Sequence, residues 1–224
     1  MVGAPKGSKG LSSRGSEGFA RLGVLALQGD FEAHLSMLAS CGFQSFAVRS
    51  PLDLERAEAL IVPGGESTAM LKLIDRFGLR NALTQRIQGG MPAFGTCAGA
   101  IVLAGSVSDG EPPLGVLPIQ VERNAYGRQV DSFEADIDVT PLQRIVRGVF
   151  IRAPVITEAA EAVQVMAWWR EHPVLVRYGR ILASTFHPEL TPDATIHRYF
   201  VEQLCAMSFG TDVSEELAAV GEGL

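Results

Sequence analysis

A short apolar run that ends in Gly-x-Cys-x-Gly and continues into small apolar residues leaves a chain few folds, and MPAFGTCAGA at 91–100 is such a run. It has the form of a strand turning sharply into a helix, the nucleophile elbow, with Cys97 where serine often stands. The turn leaves no room for side chains at Gly95 and Gly99. It forces Cys97 into a strained backbone conformation with its sulfur above the sheet. The start of a helix favours thiolate, which matters because an ordinary thiol of pKa about 8.5 is only a few per cent ionised at neutral pH. Taken alone, the same turn serves equally well for a buried structural cysteine.

An elbow needs a sheet beneath it, and the first half of the chain supplies one. Leu22–Leu27 is nearly continuous apolar sequence, as in a strand buried on both faces. Phe31–Cys41 then aligns Phe31, Leu35 and Leu38 on one helical face, with Gly42 as its stop. Strands are predicted at Phe46–Val48, Ala59–Val62 and Pro92–Phe94, and helices at Thr68–Ile74 and Arg80–Gln88. This βαβα order implies parallel strands covered by helices. The second half is strand-rich: Val116–Glu122, Phe133–Val139, Arg147–Ile151, Ala162–Trp169, Val174–Arg177 and Ile181–Phe186, with a hairpin turn at Tyr178–Gly179. A helix at about Ala194–Met207 closes the chain. The expected fold is therefore α/β: a three-layer, open, mixed but mostly parallel sheet with helices on both faces. One domain is expected over 21–208, between a Gly/Ser-rich flexible tail at 1–20 and a C-terminal tail at 209–224. The first 20 residues have neither the apolar core of a secretory signal nor the amphipathic stripe of a transit peptide.

Composition removes several partners. Lys and Arg total 19 against 25 Asp and Glu, a net charge of −6 with the basic residues scattered, so no nucleic-acid footprint is present. No apolar run approaches the roughly 20 residues of a membrane span, and no membrane partner is expected. Three cysteines without metal-type spacing argue against a disulfide framework or a zinc site and favour a reducing cytoplasm.

Two further stretches carry chemistry. In STFHPELT, Pro188 biases His187 toward an extended backbone, where positions i and i+2 point the same way. His187 and Glu189 then share a face, as a base and its orienting carboxylate require. In VPGGEST, at the end of a predicted parallel strand, Gly64 and Gly65 let backbone N–H groups approach a reacting centre. The plainer reading makes this a glycine turn with Ser67 or Thr68 capping the next helix, and both can hold together. His34, His172 and His197 read as solvated or packing residues.

GVLALQGDFEAH, PGGEST, GTCAGA, VERNAYGRQVDSFEAD, GVFIRAP and FHPELT occur in this order over about Leu22–Met207. Together they resemble the glutaminase subunits of pyridoxal 5′-phosphate synthase (the PdxT type), within the class I, triad-type glutamine amidotransferases of flavodoxin-like fold. The resemblance implies Cys97 as nucleophile, His187 as general base and Glu189 as its orienter. It implies an oxyanion hole from Ala98 and a Gly64–Gly65 amide. L-glutamine would lie against Gly65, Glu66, Ser67, Arg123, Ile151 and Arg152, with Gln28 near the site and the partner interface. Asp30 replaces the alanine often seen there and is not expected to matter for chemistry. The implied partner is a (β/α)8-barrel synthase subunit in a hetero-oligomeric complex; no metal or organic cofactor is implied. Glutamine carries both charges, so Arg123 and Arg152 suit its carboxylate and Glu66 its cationic or amide groups, with the choice between the two arginines open. Remaining rivals are a same-fold γ-glutamyl hydrolase, an amidotransferase for another synthase, and a non-catalytic redox or regulatory module using Cys97.

Overall fold

The computed structural model describes residues 21–123 and 132–206. Outside them lie the two expected tails, Met207 of the expected closing helix, Ser208, and residues 124–131 of the VERNAYGRQVDSFEAD stretch.

Four short, wholly or largely apolar strands form the parallel centre: β1 (Leu22–Leu25), β2 (Ser45–Val48), β3 (Ala59–Val62) and β4 (Ala93–Thr96). Between and beyond them run α1 (Phe31–Ser40), α2 (Pro51–Arg56), α3 (Ser67–Arg76), α4 (Arg80–Gln88) and α5 (Ala98–Leu103). The chain then adds β5 (Ala104–Val107), β6 (Leu117–Glu122), β7 (Ser132–Val139), β8 (Arg144–Ile151) and β9 (Val155–Ala159). It ends with β10 (Gln164–Trp169), β11 (His172–Tyr178), β12 (Ile181–Ser184) and α6 (Thr195–Tyr199). The main sheet has seven strands in the order β10-β11-β12-β4-β3-β1-β2. Every pairing from β12 to β2 is parallel, and the two involving β11 are antiparallel.

The strand alternation divides the interior into two cores. On β3, Leu60 and Val62 face one and Ala59 and Ile61 the other. The first core lies under α2 to α5 and a small sheet β5-β6-β9; the second lies under α1, α6 and the β7–β8 hairpin. The expected open, mostly parallel sheet with helices on both faces is the architecture found.

Local differences have local causes. β1 stops at Leu25, after which Gly29, at φ +85, turns the chain into α1. Helix α2 was not anticipated, although Ser50 and Asp53 form a reciprocal capping box and Pro51 occupies its first turn. Helix α3 is capped by Glu66, whose carboxylate accepts from Thr68 N (3.0 Å) and Ala69 N (2.6 Å), rather than by Ser67 or Thr68. The β11–β12 turn is Gly179–Arg180, one residue later than predicted, because Tyr178 pairs with Ile181. β12 ends at Ser184, where its hydroxyl donates to Phe186 O at 2.9 Å and helps lead the chain off the sheet. Strands β5 and β9 went unread because neither shows a full apolar alternation. The closing helix begins as α6 and widens into a π-helical turn at Phe200–Cys205.

Candidate active site

Parallel pairing puts the C-terminal ends of β1, β3, β4 and β12 on one edge of the sheet. From these ends come Gly29–Asp30, the PGGEST loop, Cys97 and His187 in turn. They surround a cavity of about 320 Å³, the small end of the range for ligand sites.

Cys97 stands between β4 and α5 at φ 49, ψ −106, a left-handed backbone that a non-glycine residue adopts only under constraint. The constraint is visible. Its N–H donates to Ser184 O at 2.8 Å, and a methyl group on Gly99 would come 2.0 Å from Val62 O. One on Gly95 would come 2.6 Å from the Gly99 carbonyl. Both elbow glycines are therefore required by close backbone approach. The thiol is buried against the cavity, and it lies 3.8 Å from Ile151 O. Arg152, the next residue on that wall, is also left-handed at φ 43.

His187 and Glu189 meet at 2.7 Å through Nδ1 and Oε1, and His187 lines the same cavity as Cys97, beside the thiol. The pairing arises differently from the extended geometry expected: His187 is followed by a 3-10 turn, Pro188–Leu190, that curls Glu189 back under the ring. Burial alone would push the His187 pKa down, but the interactions with Cys97 and Glu189 outweigh it and raise it to about 10. Glu189 is buried too, which opposes ionisation; His34 beside it and the bond from His187 overcome this and hold its carboxyl below the ordinary range. Such an arrangement can accept a thiol proton and stabilise the resulting imidazolium.

The PGGEST loop crosses the mouth of the site. A methyl group on Gly64 would sit 2.3 Å from His187 Cε1, and one on Gly65, at φ +147, would sit 2.2 Å from Gln28 Nε2. Gly64 O accepts from Asp30 N at 3.2 Å, which fixes the plane of the Gly64–Gly65 peptide. The loop brings Gly64, Gly65, Glu66 and Ser67 to the cavity wall, and Ala98 joins them from the first turn of α5, where helix N–H groups have no intrahelical partner. Arg123, Ile151 and Arg152 line it as well. Arg123 is held by Glu66 Oε1 (3.0 Å) and Thr68 Oγ1 (2.9 Å). Gln28 stands behind the loop, donating to Glu66 O at 3.2 Å, and is not a wall of the cavity. Asp30 is one, adding a second carboxylate that sequence reasoning had set aside.

His34 and His197 are fully buried rather than solvated, and His34 Nε2 lies 3.4 Å from Glu189 Oε1. Thr96, beside the nucleophile, is 3.1 Å from His34 Nε2. A signal existed: His34 falls on the Phe31–Leu35–Leu38 stripe, where an ordinary surface histidine does not belong. His172 merely opens β11. Among the described residues no group of three or more His, Cys, Asp or Glu converges as a metal site. No described helix is long and apolar enough to cross a membrane.

A cysteine elbow on an open, mostly parallel sheet of flavodoxin type, with an imidazole and carboxylate at the neighbouring strand end, is the layout expected of a class I glutamine amidotransferase. The chain belongs to the SNO glutamine amidotransferase family, whose model matches residues 24–206. It is 54% identical over 185 residues to the pyridoxal 5′-phosphate synthase subunit PdxT of Pelotomaculum thermopropionicum, covering 82% of this chain and 94% of that one. The PdxT subunit of Thermus thermophilus is 53% identical over 184 residues, 81% and 96% of the two chains. A crystal structure of a glutamine amidotransferase matches with a TM-score of 0.79 at 51% identity, covering 82% of this chain and 98% of the other. PurLQS of Thermotoga maritima, at 16% identity and a TM-score of 0.62 over 85% of this chain and 99% of its own, shares the fold.

Proposed function

We propose that this enzyme hydrolyses L-glutamine to L-glutamate and ammonia through a γ-glutamyl thioester on Cys97. It then hands the ammonia to a (β/α)8-barrel synthase subunit that builds pyridoxal 5′-phosphate. The observation that carries this reading is His187, set between the Cys97 thiol and buried Glu189, to which it is bonded, at the wall of a cavity sized for a small molecule. His187, with its raised pKa, already holds the proton drawn from Cys97, and the sulfur attacks the side-chain amide carbon as thiolate. The oxyanion is met by Ala98 N–H and a Gly64–Gly65 amide, and His187 returns the proton to the departing ammonia. Water, deprotonated by His187, then cleaves the thioester and releases glutamate.

The glutamine carboxylate is assigned to Arg123 and Arg152 and its ammonium to Glu66, with Asp30 as the other carboxylate on the wall. The subunit names of the PdxT relatives support a synthase partner. Three free thiols accord with a cytoplasmic setting, and residues 21–208 are assigned as the glutaminase domain. Ammonia release from glutamine, with and without the synthase subunit, tests the reading. Cys97→Ala and Cys97→Ser should abolish it while circular dichroism and melting stay near wild type. Undiminished release by pure Cys97→Ala would end the thioester mechanism.

A further inference from the structure

Behind the Cys97–His187–Glu189 group the hydrogen-bond chain continues into the protein. Glu189 Oε1 receives His187 Nδ1 at 2.7 Å and the Thr96 hydroxyl at 3.5 Å, which leaves Thr96 Oγ1 to accept from His34 Nε2 at 3.1 Å. His34 Nε2 also lies 3.4 Å from Glu189 Oε1, while Glu189 Oε2 has no partner among the described residues. His34 Nδ1 in turn lies 2.9 Å from His197 Nε2, and both rings are wholly buried. An ionised carboxylate only accepts, so the His34 proton belongs on Nε2. His34 Nδ1 then accepts from His197 Nε2–H, which leaves His197 Nδ1 bare. That is the one His197 atom without a partner, and a dry lone pair is tolerated better than a dry N–H.

We propose that His34 is a positioning residue for the base His187: it acts through Glu189, and His197 fixes which nitrogen of His34 carries the proton. A carboxylate this deep is stable as an anion only with donors around it. Without His34, Glu189 keeps His187 and a distant Thr96 hydroxyl at 3.5 Å. It is then free to take a proton or to rotate its unpartnered oxygen toward another donor. The titratable groups facing Glu189 are His187 from its own turn and His34 from α1; His197 from α6 stands behind His34, and Cys97 from the elbow behind His187. Burial holds His197 down at about 3, so it serves as a neutral donor across the working range.

The test compares His34→Leu, His34→Gln and His34→Asn in the full chain. A glutamine amide reaches the place of Nε2, and an asparagine amide reaches only the place of Nδ1. The kinetic arm rests on the proposed glutaminase reaction, and wild-type turnover checks that separately. His34→Leu should lower kcat about ten- to a hundredfold with KM nearly unchanged. Loss of a donor raises the Glu189 pKa, so the acid limb of the kcat/KM profile should move to higher pH. His34→Gln should restore most of both effects, and His34→Asn should not. Independently of turnover, the low-field proton resonance of the His187–Glu189 bond should shift in His34→Leu and His34→Asn and stay near its wild-type position in His34→Gln. A His34→Leu profile that superimposes on wild type after scaling, or equal behaviour of the Gln and Asn variants, overturns the proposal. If His34→Leu fails to fold, the Gln and Asn pair decides.

Discussion

Replacing Gly64 by alanine isolates the position of the base from every other feature of the site. The backbone at Gly64 lies outside the left-handed region, so alanine adopts it without strain, and its N–H is retained. The new methyl would lie 2.3 Å from His187 Cε1 and 2.9 Å from Nδ1. Carbon atoms rest at about 3.5–4.0 Å, so the ring must retreat by more than about 1 Å. That retreat stretches either the 2.7 Å bond to Glu189 or the approach to the thiol. A misplacement of about 1 Å costs on the order of 10²-fold, and the whole contribution of a general base is about 10²–10⁴-fold. Ammonia release from glutamine, assayed at saturating substrate, should therefore show kcat lowered by about 10²-fold or more, with KM changed far less, in a protein that melts near wild type. A folded Gly64→Ala variant with kcat within about threefold of wild type would refute the claim that this glycine makes room for the ring.

The raised His187 pKa has a sign that melting can read: its contribution to stability is full below the ordinary value of 6.5 and is lost as pH rises toward about 10. Cys97→Ala removes one of the interactions that raise it, so the nuclear magnetic resonance titration of His187 should fall to lower pH. Burial pushes the Cys205 thiol up to about 12, despite the opposing charge of Arg180, so a glutamine-mimicking diazo-ketone should label Cys97 alone by peptide mass spectrometry. Labelling of Cys205 or Cys41 would point to a different thiol. Arg123→Ala removes a charge-assisted contact of about 1.5–3 kcal/mol and should raise KM for glutamine roughly 10- to 150-fold with kcat affected less. The Gly64–Gly65 peptide is a candidate gate, since turning it breaks the 3.2 Å bond to Asp30 N; kcat should then rise on synthase binding more than 1/KM does. Equal kcat for the free and complexed chain would dismiss the gate.

The central strands and the elbow were legible because they obey strong local rules. Four-residue runs buried on both faces carry little but apolar residues, and Gly95 and Gly99 are demanded by backbone contacts at their own turn. The relation of His187 to Glu189 was legible as a pair but not as a geometry, because Pro188 starts a 3-10 turn as readily as it extends a strand. His34 and His197 could not be joined from sequence: 163 residues separate them, and only the packing of α1 beside α6 brings their rings to 2.9 Å. Glu66 looked like a ligand for substrate alone. It is also the cap of α3 and the holder of Arg123, roles set by the loop's path rather than by its composition.

The sheet order has a consequence for how the chain is made. β4, which carries the nucleophile, is flanked on one side by β3 and on the other by β12, and residues 181–184 leave the ribosome long after residues 93–96. Until then β4 is an open edge whose unpaired amides face water or any stray strand, a hazard for a nascent protein. The same delay keeps the thiol away from its base, since His187 follows β12 by only a few residues. A chain that is still being translated is thus chemically silent, and insertion of one late strand seals the edge and arms the site together.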